Sequence, residues 1–193
     1  MIIGSCLFFI RLRMIPKGKV VTIAAFCTAA AFAAFQITIP VFGGIHLTLT
    51  PLIAIFTGPA IGSLVVLIIN ILSAAIGHGG FGMIGANTLV NIGEVVTAYI
   101  IYKGTKRLTI DRFARAAIAT FVGLFAGNLL MIAMILVSGI QGIAQSQVQI
   151  LYGLTLLAII NMGVALVEAI ITGFIIGFLG RARPDLLGEG ENT

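Results

Sequence analysis

Apolar residues run in long, nearly unbroken stretches along this chain, divided by short segments where glycine, glutamine, lysine or arginine collect. Stretches of this kind, near the ~18–20 residues needed to cross a bilayer and without dyad alternation, predict membrane helices rather than barrel strands. Helices are predicted over residues 20–39, 60–76, 86–102, 114–138 and 150–179, with a shorter apolar segment over 47–57 that contains Pro51. Pro40 closes the first, and Gly58-Pro59 separates the short segment from its successor, since proline and glycine interrupt a helix. Residues 1–10 are apolar but reach only ~15 Å as a helix. Arg11 and Arg13 follow them, the reverse of the order in a signal peptide. The pattern divides the chain into a basic N-terminal segment (1–19), a transmembrane bundle (20–183) and a frayed cytoplasmic tail (184–193).

Composition strengthens this reading. The 193 residues are 60% hydrophobic and only 9% charged, with a mean hydropathy of +1.19. A soluble domain carries about 25% charged residues, so the fold class is all-α, a polytopic membrane helix bundle. The net charge of +5 points to orientation in the membrane rather than to nucleic acid. Lys and Arg fall in three groups: Arg11, Arg13, Lys17 and Lys19; Lys103, Lys106, Arg107, Arg112 and Arg115; Arg181 and Arg183. Six crossings, with 47–57 and 60–76 as separate helices, put all three on one face. Merging the two splits them. The positive-inside rule thus predicts about six helices, both termini in the cytoplasm, and the loops bearing His46 and His78 together on the outer face. Cys6 and Cys27 read as apolar fillers, with no disulfide.

Little chemistry remains, and most of it lies between Pro40 and Gly93. Imidazole suits Co, Ni, Zn and Cu, so His46 and His78 are candidate metal ligands. No HxxxH or CxxC spacing supports them, and solvated loop histidines are the plainer alternative. Glycines at 77, 79, 80, 82 and 85 predict non-helical backbone, which membrane depth tolerates only where it is buried or lines a cavity. Asn87 and Asn91 stand one turn apart on one helix face, either as a cap and interhelical contact or as organisers of that loop. Glu94 and Glu168 fall inside apolar helices, where ionisable groups mark function by default; protonated acids bonded to a neighbouring helix are the alternative. The small-xxx-small pairs Ala25/Ala29 and Ala30/Ala34 allow close helix approach, within the bundle or against a partner membrane protein. No nucleophile–base pair, P-loop or dinucleotide fingerprint is present, so the chain does not read as an enzyme.

Several of these residues form a recognisable set. Gly43-Gly44-Ile45-His46-Leu47, Gly58-Pro59, Gly77-His78-Gly79-Gly80, Gly85-Ala86-Asn87, Asn91, Val167-Glu168-Ala169-Ile170-Ile171-Thr172-Gly173 and Arg183-Pro184-Asp185-Leu186-Leu187 resemble the CbiM/NikM family. These are substrate-specific membrane subunits of cobalt and nickel transporters of the energy-coupling factor (ECF) type. The resemblance covers about residues 24–187. It implies capture of Co²⁺ or Ni²⁺ as transported substrate, with no bound organic cofactor. Implied partners are an ECF transmembrane coupling protein, ATPase subunits and a small accessory membrane subunit. His46 matches the family's metal-binding loop histidine. Asn87 and Asn91, with Gly79 and Gly80, match its loop organisers, and the helix bearing Ala25, Ala29, Ala30 and Ala34 matches the docking face.

Two departures stand out. His78 replaces the family's usual Asp, and the Met-His-Ile-Pro start that supplies further metal ligands is replaced by Met1-Ile2-Ile3. A start that has lost the family's first helix, or ligands from a partner chain, would each account for the second. The expected function is thus an ECF substrate-binding subunit importing cobalt or nickel, supplying cobalamin biosynthesis. A vitamin-specific ECF subunit is the alternative within transport, marked by a pocket lined with aromatic and polar side chains. A non-transporting assembly or channel-like protein is the alternative outside it, marked by Glu94 and Glu168 meeting along a polar path.

Overall fold

A computed structural model describes residues 17–36, 38–39, 45–78, 80–138 and 147–187. The readings made for residues 1–16, 40–44, Gly79, the 139–146 part of the glutamine-rich loop and the last six residues lie outside the described set. The described helices are α1 (Lys17–Phe35), α2 (Thr50–Ala75), α3 (Ile84–Gly104), α4 (Arg112–Ser138) and α5 (Gln147–Ala182). Each packs on the next in sequence order. The fold is an all-α membrane bundle. Its outward faces carry Phe26, Val137, Phe174 and Phe178, all at least 66% exposed, while Asn70, Asn91, Glu94, Asn128 and Glu168 are buried. An apolar exterior around a polar interior is what lipid, not water, stabilises.

Among the described residues, four helices are long and apolar enough to cross a membrane by length and composition, with α2 counted end to end, and Val21–Phe35 of α1 is shorter; the expected count of about six is not confirmed. Two physical causes separate this count from the sequence-based one. First, α1 stops at Phe35 instead of reaching Ile39. Thr38–Ile39 forms strand β1 and pairs antiparallel with strand β2, Ile45–His46, with Thr38 opposite His46 and Ile39 opposite Ile45. The β-branched run before Pro40 prefers extended backbone to a last helical turn, so a short ladder appears where only helix was expected.

Second, the segments read as 47–57 and 60–76 run on as one element, α2, interrupted only at Gly58. A straight helix of 26 residues would be about 39 Å long, yet the histidines flanking it lie 3.1 Å apart. The contacts along α3 show how. Thr50 meets Glu94, Gly58 lies against Tyr99, Gly62 against Val95, and Asn70 against Thr88. These contact points descend α3 and then climb back, so α2 is a helical hairpin whose tip is Gly58. Its φ of 75° and ψ of 174° lie in a region open essentially to glycine alone, and Pro59 cannot continue the hydrogen-bond ladder.

Apolar clusters hold this arrangement. Ala31, Ile53, Ala54, Val66, Val95 and Ala98 join α1, both arms of α2, and α3. Ile55, Tyr102, Ala116, Ala119 and Ile176 form a second cluster with Leu187. The tail therefore does not fray directly after α5: Pro184–Leu187 makes one 3₁₀ turn, and burial of Leu187 pins it. Cys27, the cysteine that is described, is a free thiol.

Replacing Gly58 with Ala forces a side chain into this backbone and is expected to destabilise the detergent-solubilised protein by about 1–3 kcal/mol. Thermal unfolding checks this; an unchanged midpoint would contradict the hairpin.

Candidate functional site

The hairpin and the β ladder bring the two histidines together. His46 follows from its register opposite Thr38. His78 sits just past the end of α2, its backbone N–H bonded to the Ser73 carbonyl at 2.8 Å. Their Nε2 atoms are 3.1 Å apart, and the Phe35 ring packs against both, with centroids at 4.7 Å from His46 and 5.2 Å from His78. His46 Nδ1 is buried without a hydrogen-bond partner among the described residues. Burial, and then the neighbouring His78, hold the His46 pKa below its ordinary 6.5. Both causes disfavour imidazolium, leaving the neutral ring that a metal requires.

Two cavities flank the pair. The outer, about 170 Å³, is lined by Phe35, His46, Asn70, His78, Gly80 and Asn87. The inner, about 290 Å³, begins at His46 and continues between Asn91, Glu94, Asn128, Asn161 and Glu168. Phe35, His46, Asn70 and Asn87 border both, so a polar interior extends from the histidines into the bundle. Gly80, at φ 70°, edges the outer cavity.

The carboxylates are tied together across the inner cavity. Thr48 donates its backbone N–H to Glu168 Oε2 at 3.0 Å and its hydroxyl to Oε1 at 3.1 Å. Thr50 donates its hydroxyl to Glu94, and the two threonine hydroxyls are 3.2 Å apart. Leu49 between them adopts the left-handed conformation at φ 51°, an unfavourable one for a branched residue. This strained turn aims Thr48 at α5 and Thr50 at α3. The site also needs Gly127, because a Cβ there would collide with the Glu94 carboxylate.

Other predicted residues are placed differently. Asn87 and Asn91 do not cap α3: Met83 occupies the cap position, without a side-chain bond. Neither asparagine makes a hydrogen bond within the described set, and both border the inner cavity. Asn87 lies about one turn and Asn91 about two turns past the Met83 cap, on the face that meets the cavity. Ala25, Ala29 and Ala30 are exposed and Ala34 half-buried, while Ala24 and Ala31 take the inward contacts. Sequence reasoning missed Thr48, Thr50, Phe35 and the Asn128–Asn161 pair, whose amides bond at 3.2 Å. Three asparagines inside apolar helices (70, 128, 161) were the available signal, since polar groups in lipid seek partners. Among the described residues no group of three or more His, Cys, Asp or Glu converges as a metal site.

A family model, CbiM, described as a cobalt uptake substrate-specific transmembrane region, matches residues 1–186. The chain belongs to the CbiM family. It is 28% identical over 185 residues to a Methanocorpusculum labreanum protein named "Putative cobalt transport protein CbiM 1", covering 91% of this chain and 78% of the relative. It is 31% identical over 120 residues to a cobalt transport protein CbiM of Lachnoclostridium phytofermentans, covering 60% of this chain and 48% of that one. A crystal structure of a transition metal transporter shares the fold with a TM-score of 0.74 at 21% identity, covering 95% of this chain and 86% of that one. A truncated transition metal transporter matches at 0.73 and 20% identity, covering 93% and 87%. As a CbiM member, the chain is a multi-pass membrane component of a metal transporter.

Thr50→Val removes the donor to Glu94 and is expected to cost about 1–3 kcal/mol, whereas Thr50→Ser keeps it and stays near wild type. Equal unfolding midpoints for the two variants would contradict the role of the hydroxyl.

Proposed function

We propose that this chain is the substrate-capture subunit of an ECF-type importer and takes up Co²⁺ or Ni²⁺ through the His46–His78 pair. The observation that carries this is the 3.1 Å separation of the two Nε2 atoms, at the mouth of a polar cavity in a chain of the cobalt-uptake family. With metal–nitrogen bonds of ~2.0–2.1 Å, that separation subtends roughly 95–100° at a shared ion, a normal angle between adjacent ligands. Without metal the same spacing suits one N–H···N bond between neutral rings. Water or a partner chain supplies the other ligands, and the site borrows His78 where the family usually has Asp.

Capture alone moves nothing. The reading assigns the energy to ATPase partners acting through a coupling protein, with cobalamin synthesis as the use of the cobalt. Docking is assigned to the outward face of α1, where Ala25, Ala29 and Ala30 leave small side chains open to a partner helix. The cationic ends then face the cytoplasm by the positive-inside rule. A vitamin subunit is less well supported, because the inner cavity offers amides and carboxylates but only Phe35 as an aromatic surface. The joined carboxylates are what a channel-like protein would also show, and family membership favours the transporter.

Three outcomes test the proposal. Calorimetry of Co²⁺ binding should show at least about tenfold weaker affinity for His46→Ala and for His78→Ala; unchanged affinity in both would contradict capture by the pair. Affinity should fall as pH is lowered, because protons compete for imidazole, and the lowered His46 pKa places that fall at lower pH than an ordinary histidine would; affinity that does not change with acidification would count against it. Finally, Ala25→Leu/Ala29→Leu should abolish co-purification with the coupling protein while Co²⁺ binding by the isolated subunit persists. Intact co-purification would place docking elsewhere.

A further inference from the structure

The inner cavity holds more than the capture site requires. Glu94, 6% exposed, and Glu168, 1% exposed, face a space of about 290 Å³, room for an ion with several waters. Asn91 lines the same space and is nine-tenths buried, 9% exposed, with no hydrogen bond to any described residue. Its amide therefore opens on the cavity rather than on a protein group, where a ligand can meet it. Asn128 adds a second amide whose nitrogen has no bond, its oxygen being taken by Asn161. Three close oxygen pairs link Glu168, Thr48, Thr50 and Glu94; two hydroxyls supply two of the hydrogens, and a proton on one carboxyl supplies the third when no cation is bound.

From this geometry we propose that the cavity between Glu94, Glu168 and Asn91 is a second cation station, deeper in the bundle than the histidines, which binds a divalent ion through oxygen. Carboxylate and amide oxygens with water suit hard divalent cations, and a dication offsets the charge of two buried carboxylates. Gly127 leaves the space in which the Glu94 carboxylate stands. The contrast in donors matters: nitrogen ligands hold the ion at the mouth, and weaker oxygen ligands receive it further in. Such a step lets an ion leave a tight site without entering lipid. The station's place in transport rests on the capture reading, whereas its existence as a site does not.

The test uses Mn²⁺, which favours oxygen donors, and the full chain in lipid nanodiscs, read by electron paramagnetic resonance. The His46→Ala/His78→Ala double variant should still bind one Mn²⁺ per chain. Adding Glu94→Gln should weaken that binding roughly tenfold or more. Adding Asn91→Ala instead should weaken it severalfold while the unfolding midpoint stays put, because Asn91 has no protein partner to lose. No Mn²⁺ binding in the double variant, or binding unaffected by Asn91→Ala, would overturn the station. Should the Glu94 variant fail to fold, the Asn91 variant decides. Loss of Co²⁺ capture in the histidine variants does not bear on these outcomes, so failure of the two readings can be told apart.

Discussion

The structure depends on placing two carboxylates inside an apolar bundle. An ionisable group at membrane depth carries a penalty of several kcal/mol unless polar partners meet it. Glu94 and Glu168 stand on α3 and α5, and neither helix supplies the donors. Those come from Thr48 and Thr50, on the strained turn that opens α2. From that turn α2 does not run straight across the bundle. It descends briefly, reverses at Gly58 and climbs back beside its own first arm. The reversal returns the chain to the level of His46 and sets His78 against it. Anchoring of the carboxylates and pairing of the histidines are thus one geometric event.

The bundle and its polar stretch were legible in the sequence because their causes are local. Apolar runs, Gly58-Pro59 and the distribution of Lys and Arg are each read from a few neighbouring residues. The convergence of His46 and His78 followed from counting basic clusters, and the reversal at Gly58 accounts for it in three dimensions. What sequence did not reveal was set by pairing across distance. Nothing in the local pattern singles out Thr48 and Thr50, and only the fold brings Glu168 and Glu94 to them. The helix position of Asn87 and Asn91 leaves a cap with an interhelical contact or a loop organiser open, and the packing of α3 puts both on the cavity wall instead of at the cap. The early end of α1 came from strand pairing between residues 38–39 and 45–46, a contact that helical periodicity does not register. Leu187 was read as tail because its apolar neighbours come from α2, α3, α4 and α5.

Donor chemistry grades along the axis of the bundle. At the mouth are two imidazoles, one kept neutral by its surroundings, against an aromatic wall. Beneath them are amides, then carboxylates and hydroxyls, with lipid-facing side chains outside. A soft-to-hard sequence of ligands suits a borderline ion such as Co²⁺ that is bound selectively and then released. Gly127 makes room for the Glu94 carboxylate within this gradient.

The central claim is that both histidines ligate the transported ion. X-ray absorption at the cobalt edge of the Co²⁺-loaded subunit tests it most directly. The account predicts the multiple-scattering pattern of two imidazoles with Co–N distances near ~2.0–2.1 Å, reduced to one by either His46→Ala or His78→Ala. A shell of oxygen donors alone, the same in wild type and both variants, would contradict it.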